Sequence, residues 1–177
     1  VPDIVSFVMQ KMISTVIVGL FFLAGGSFAF DAERAVVVKI IDGDTLGITF
    51  QGRYEKLRLI GIDTPESRRN NRAWRQADQM ASSLEEVVRR GKEAKRYVAG
   101  LLKKDMIVFV ELDVQHRDRY RRLLGYLYLP GGEMLNEKLL REGYASLLTI
   151  PPNVKYRDRF VRAFRQGRRK SAVPLTD

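Results

Sequence analysis

From residue 35 to residue 62 short apolar, β-branched runs alternate with breaks of two or three turn-forming residues, the pattern of strands joined by tight turns. Ala35–Ile41 (A-V-V-V-K-I-I) reads as a first strand and Thr45–Phe50 as its return. Between them Asp42-Gly43-Asp44 has hairpin chemistry, because Asp-Gly tolerates the positive φ of a tight turn. After a second turn at Gln51-Gly52-Arg53, Glu55–Ile62 alternates charged and apolar residues as a third strand. Pro65 cannot donate to a ladder and biases Thr64 away from helix, so that strand stops at Asp63-Thr64. Residues 67–83 are rich in Arg, Asn and Gln with little periodicity, and read as an exposed loop holding at most a short helix.

Beyond it, Leu84, Val87, Val88, Ala94, Val98 and Leu101 fall near 3.6-residue spacing and predict a helix over Leu84–Leu102, with Gly91 as a break between two pieces. Met106–Leu112 and Leu123–Leu129 are two further strands, and Pro130-Gly131-Gly132 turns the chain. Leu135–Glu142 reads as a short helix ended by Gly143, and Val154–Arg169 as a last, basic helix. Five strands with a helix inserted after the third predict an α+β, mainly β fold: a small five-stranded OB-type β-barrel with flanking helices.

The first thirty residues stand apart. Lys11 precedes the apolar run Met12–Leu23, and small residues follow at Ser27 and Ala29, which resembles a secretory signal peptide cleaved after Ala29. The alternative is an uncleaved membrane anchor over residues 12–30. The expected organisation is therefore a signal or anchor at 1–30, one domain at 31–170 and a tail at 171–177, with a secreted or periplasmic location. Absent cysteine excludes disulfides, zinc–thiolate sites and thiol nucleophiles, and a single histidine, His116, argues against a His-based triad or a multi-His metal centre. Thirty-one Lys and Arg against 21 Asp and Glu give a net charge of +10, which suits a polyanion such as nucleic acid, an anionic membrane surface, or simple solubility.

Against that charge, Asp42, Asp44, Asp63 and Glu66 collect at strand ends. If the first three strands form a meander, the 42–45 and 63–66 turns lie at one end of the sheet. Hard oxygen donors without Cys or His suit Ca²⁺ or Mg²⁺, although Asp-Gly and Asp-Thr-Pro are also ordinary turn formers. Arginine changes the balance, with Arg58 on the strand leading to Asp63 and D-R-Y-R-R at 118–122. Phosphodiester hydrolysis requires an activated water, a cation on the phosphate oxygens and stabilisation of the transition-state charge. Asp44 and Asp63 can hold the metal, Glu66 can orient or deprotonate the water, and Arg58 and Arg122 can grip phosphate oxygens bidentately.

Four ordered motifs, I-D-G-D-T, R-L-I-G-I-D-T-P-E, D-R-Y-R-R-L-L-G-Y-L-Y and M-L-N-E-K-L-L-R-E-G-Y-A, resemble those of the thermonuclease (staphylococcal nuclease-like) family, from about Val36 to about Asn153. The resemblance implies an OB-type barrel and a Ca²⁺-dependent endonuclease acting on DNA and RNA, with one Ca²⁺ per active site and 3′-phosphate products. It further implies Ca²⁺ held by Asp44, Asp63 and the Thr64 carbonyl, with Asp42 supporting the site without touching the ion. Arg58 and Arg122 would contact the scissile phosphate, Glu66 would serve the water, and Arg119 and Tyr120 would contact the substrate. No protein partner is evident, and a monomer is expected. Two departures stand out: Arg121 occupies a position that is usually glycine, and Leu147-Leu148-Thr149-Ile150 lacks two nucleotide-stacking tyrosines. Arg68, Arg69, Arg72, Trp74 and Arg75 can extend a nucleic-acid surface, or form a solvated loop with one half-buried Trp. The alternative function is a non-catalytic OB-fold nucleic-acid-binding module.

Overall fold

The computed structural model describes residues 31–172; the expected signal or anchor at 1–30 lies outside them. The chain runs β1 (Ala32–Asp42), β2 (Thr45–Phe50), β3 (Arg53–Leu59), β4 (Ile62–Asp63), α1 (Asn71–Gln79), α2 (Leu84–Leu101), β5 (Ile107–Glu111), β6 (Leu123–Tyr128), α3 (Leu135–Arg141), β7 (Ser146–Leu147) and α4 (Arg157–Ala172). Strands β1-β2-β3-β6-β5 close a barrel in that order, in which only β3 and β6 run parallel. Closure removes the exposed edges that an open five-stranded sheet would present. Alternate residues Leu46, Ile48 and Phe50 on β2 point inward and meet Val37, Leu57, Leu59, Val108 and Val110, all buried. Helices α3 and α4 cover the barrel with Leu135, Leu139, Leu140 and Phe160.

The expected strand at Glu55–Ile62 is in fact two strands. Gly61 adopts φ +81°, and a Cβ there would stand 2.4 Å from the Phe160 ring, so the chain turns at Ile60-Gly61. The short β4 then leaves the barrel and pairs with β7, Asp63 opposite Ser146. That departure carries the chain into the Asp63–Glu66 segment, where Thr64 is buried and hydrogen-bonded to Asp44 at the β1–β2 turn.

Two expectations for glycine are corrected. Gly43 is not at positive φ; it is glycine because a Cβ would meet Thr64 Oγ1 at 2.9 Å and Ala94 Cβ at 3.0 Å, so the β1–β2 turn packs directly on the Thr64 segment. Gly91 does not break α2, which is continuous; a Cβ at Gly91 would stand 2.3 Å from the Glu66 carbonyl oxygen. The short helix allowed within residues 67–83 forms at Asn71–Gln79, because the Asn70 side chain accepts from the Arg72 and Ala73 backbone N–H groups and Ala73 and Ala77 pack on Leu84 and Val87 of α2. The last helix spans Arg157–Ala172, where Val154–Arg169 was expected.

Candidate active site

The two acidic turns do meet. Asp42 pairs with Thr45 across the β1–β2 turn, which leaves Gly43-Asp44 as its two central residues. Asp44 is buried and its Oδ2 accepts from the Thr64 backbone N–H (2.7 Å) and the Thr64 hydroxyl (2.9 Å). Arg58, also buried, ion-pairs with Asp44 through Nη1 and donates from Nη2 to Asp63 Oδ1 at 2.6 Å and to the Ile62 carbonyl at 3.2 Å. Two carboxylates from separate turns thus converge on one cationic group. Burial acts to raise the Asp44 pKa, but the Arg58 charge and the Thr64 hydrogen bonds overcome it and hold the carboxyl below its ordinary range. For Arg58, burial opposes the charge, while Asp44 and Asp63 overcome that penalty and raise its pKa.

Asp42 lies at the edge of the site. It accepts from the Gly43 N–H at 3.0 Å and the Ser67 N–H at 3.4 Å, and burial, with Glu66 and Asp44 nearby, pushes its carboxyl above the ordinary range. Glu66 is held by Asn70 Nδ2, which donates to Oε2 at 2.9 Å, and by Arg72, whose Nε lies 3.1 Å from Oε1. Arg72 also pairs with Asp63. Gln76 donates from Nε2 to Asp63 Oδ2 (3.0 Å) and to the Thr64 carbonyl (3.1 Å). No cluster of three or more Asp, Glu, His or Cys side chains is poised for a metal among the described residues. The oxygen set on offer is two carboxylates, Asp44 and Asp63, with the Thr64 carbonyl beside them.

A groove of about 510 Å³ opens over this floor. Arg58 and Asp63 line its base, Arg72, Arg75, Gln76 and Gln79 of α1 one wall, and Arg119, Tyr120 and Arg122 the other. The second wall is a loop built on Asp118. Its Oδ1 accepts from the Tyr120 and Arg122 N–H groups and its Oδ2 from Arg122 Nε at 2.7 Å. Tyr120 is 64% exposed, with the Arg119 and Arg122 guanidiniums 4.7 Å and 5.5 Å from its ring centre. Arg121 is at φ +64°, the left-handed region that a glycine would occupy freely. Leu148 and Ile150 line the groove without an aromatic ring between them.

The structure therefore brings Arg58, Asp63 and Arg122 to one groove, with Asp44 buried behind Arg58 and bonded to Thr64, while neither Asp44, Thr64, Asp42 nor Glu66 lines the groove itself. Arg119 and Tyr120 stand at its rim. Of the arginine-rich segment, only Arg72 and Arg75 line the groove. Trp74 does not line it, and at 57% exposure it is more open than the half-buried side chain expected. His116 is an exposed loop residue. Sequence reading missed Asn70, Gln76 and Asp118, and gave Arg72 no role in holding the carboxylates. The available signal was the helical i, i+4 spacing of Arg72 with Gln76, which sets both on one face of α1; nothing comparable marks Asp118, which acts within a loop.

Residues 56–172 match the model of the family described as staphylococcal nuclease homologue. The chain is 38% identical over 148 residues to a thermonuclease of Staphylococcus hyicus, covering 84% of this chain and 79% of that one. It is 36% identical over 138 residues to a thermonuclease of Staphylococcus intermedius, covering 78% and 73% respectively. A 32% identical match to the endonuclease YncB of Bacillus subtilis spans 69% of this chain and 52% of that protein. With four sequence motifs, a closed barrel and a family match over residues 56–172 in agreement, the chain belongs to the staphylococcal nuclease homologue family.

Proposed function

We propose that the protein is a calcium-dependent endonuclease that hydrolyses phosphodiester bonds of DNA, RNA or both, with its substrate strand in the groove between α1 and the 118–122 loop. Its thermonuclease and endonuclease relatives support phosphodiester hydrolysis. The observation that carries the site assignment is the convergence of Asp44 and Asp63 on a single buried cationic point, Arg58, at the base of an arginine-lined groove. The donor set is entirely oxygen, which fits a hard cation whose remaining positions are filled by water and phosphate. Asp44, Asp63 and the Thr64 carbonyl would hold a Ca²⁺ ion, which when bound would polarise a phosphate oxygen as a Lewis acid and neutralise charge.

The chain's own groups perform the rest. Arg58 exchanges its carboxylate partners for phosphate oxygens, and Arg122, oriented by Asp118, presents its guanidinium from the opposite wall. Together they offset the negative charge that grows on the phosphoryl oxygens as the water attacks. Glu66 orients that water and accepts its proton as the water oxygen bonds to phosphorus and the P–O5′ bond breaks. The leaving 5′-oxygen takes a proton from solvent, while Asn70 and Arg72 fix the Glu66 carboxylate. Asp42 holds the Ser67 and Gly43 amides and so keeps the two turns together. Arg119 and Tyr120 guide the substrate at the rim.

Cleavage of DNA and RNA oligonucleotides, with end-group analysis, tests the reading. EDTA should abolish cleavage and Ca²⁺ restore it, and Glu66→Gln should lower kcat by about 10²–10⁴. Metal-independent binding without cleavage by the wild type would instead identify a binding module, and full activity in the variant would remove Glu66 from its assigned role. Export from the cytoplasm is part of the same proposal, motivated by the apolar run and small residues at 12–29, and sequencing the N-terminus of the mature protein tests it.

A further inference from the structure

Gln76 is the deepest polar residue of α1, only 6% exposed, and its amide is committed to one segment. Nε2 gives one hydrogen bond to Asp63 Oδ2 (3.0 Å) and one to the Thr64 carbonyl (3.1 Å), while Oε1 accepts from the Glu66 backbone N–H (2.9 Å). Three consecutive functions of the D-T-P-E turn therefore meet in a single side chain: a carboxylate, a carbonyl and the backbone that carries Glu66. The amide has one workable orientation, because a flip would set its oxygen against two acceptors and its NH₂ against a donor.

We propose that Gln76 is a positioning residue for the catalytic turn: it fixes the direction of the Asp63 carboxylate and the Thr64 carbonyl, and so sets the cation affinity of the site. It also fixes the backbone from which Glu66 reaches the water. The proposal rests on the calcium-nuclease reading above. A plain packing role does not account for the residue, because Ala73, Ala77, Leu84 and Val87 already hold α1 against α2 through a buried apolar cluster. An apolar side chain of the same length would serve that packing equally well. The amide is needed only by the turn. Hydrogen-bonded support of this kind behind metal-facing oxygens typically changes metal affinity or activity by about 10–100-fold when it is lost.

The test uses the full chain with Gln76→Met, which keeps the length and removes all three hydrogen bonds, and Gln76→Glu, which keeps the shape and removes both donors. Three quantities are compared with wild type: Ca²⁺ affinity by calorimetry without nucleic acid, kcat and KM on an oligonucleotide, and exchange of the Glu66 amide hydrogen in EDTA. Support consists of Ca²⁺ affinity and kcat each lower by about 10–100-fold, KM within about twofold, and faster Glu66 exchange in Gln76→Met. The barrel amide of Leu127, held by the Asn136 side chain, should remain protected, which reports that the fold survives. Ca²⁺ affinity and kcat within about twofold of wild type in a folded variant, with only a lower melting temperature, would overturn the proposal. If the wild type neither binds Ca²⁺ nor cleaves, the calcium reading fails on its own. The Glu66 exchange comparison then decides the positioning role, with acceleration supporting it and no change overturning it. Should Gln76→Met not fold, Gln76→Glu carries the same comparison of affinity and kcat.

Discussion

Arg121 joins the two residues that matter most in its loop, Tyr120 and Arg122, and does so in a conformation that costs an arginine and not a glycine. Its φ of +64° places Cβ against the backbone, and the loop holds it there through the Arg121 N–H bonded to the Asp118 carbonyl and the Arg121 carbonyl bonded to Arg117 Nη1. The strain is local, and the Asp118 side chain still fixes Arg122. Arg121→Gly should therefore raise stability by about 1 kcal/mol, the relief of left-handed strain less the extra freedom glycine has when unfolded. Urea midpoints measure this; a lower midpoint would mean that the arginine side chain makes contacts worth more than its backbone strain. At this scale much was legible, because Asp42, Asp44, Asp63, Thr64 and Glu66 lie within a few residues of turns that composition marks. What was hidden were the partners. Arg58 reads as a phosphate ligand, yet in the structure it binds Asp44 and Asp63, a contact that follows from the β2–β3 hairpin register, which sets Arg58 opposite Thr45, and from the turn that brings Asp63 back toward it.

At the level of elements, α1 and α2 decide whether the acidic turn is held. The strands were readable from alternation, whereas α1 was legible only as a short helix without bounds, since its stability comes from the Asn70 cap and two buried alanines in an otherwise polar segment. Gly91 shows why a helix rule failed. Propensity alone says that Gly91→Ala should gain about 1 kcal/mol, but the new Cβ would collide with the Glu66 carbonyl at 2.3 Å and the Pro65 carbonyl at 2.6 Å. The substitution should instead destabilise by about 1–3 kcal/mol and lower kcat by displacing the turn. A thermal melt and a cleavage assay read both effects; a more stable and fully active variant would contradict the contact. The outer face of α1 makes a separate contribution. Arg75 lines the groove, and no ion pair engages it among the described residues, whereas Arg58, Arg72 and Arg122 each pair with a carboxylate. Arg75→Gln should weaken oligonucleotide binding and reduce the slope of log affinity against log salt by about 0.7–0.9, the release of one counterion. Arg96→Gln, on an exposed part of α2 outside the groove, removes the same charge and should leave the slope unchanged. Equal slopes for the two variants would assign the effect to net charge alone.

Across the whole molecule, carboxylates tie the barrel to its surrounding segments, and they set its response to acid. Glu111 of β5 is 1% exposed; its Oε2 accepts from the Tyr128 hydroxyl at 2.6 Å and the Tyr156 hydroxyl at 2.9 Å, and it pairs with Lys155. Burial acts to raise its pKa, but Lys155 and the two hydroxyls outweigh burial and leave it below the ordinary glutamate value of 4.5. The Arg117 hydrogen bonds lower Glu55, and those from Lys138 and Arg141 lower Glu133, while Asp44 is lowered by Arg58 and Thr64 against the effect of burial. For each of these the folded pKa lies below the unfolded one, so its stabilisation is complete above the unfolded value and is lost as pH falls through the folded value. Asp42, raised by burial and by Glu66 and Asp44, has the opposite sign: its cost appears as pH rises from its unfolded value through its raised folded one. Four groups against one predict that the melting temperature in EDTA is nearly flat above pH about 5 and falls steeply below pH about 4. Glu111→Gln keeps an acceptor for the tyrosines but has no proton to gain, so its acid limb should be shallower than wild type, from a lower starting stability at pH 7. Circular-dichroism melts between pH 7 and pH about 2.5 check both statements. A wild type as stable at pH 3 as at pH 7 would show that these ion pairs do not stabilise the fold, and parallel acid limbs for wild type and Glu111→Gln would remove Glu111 from the set.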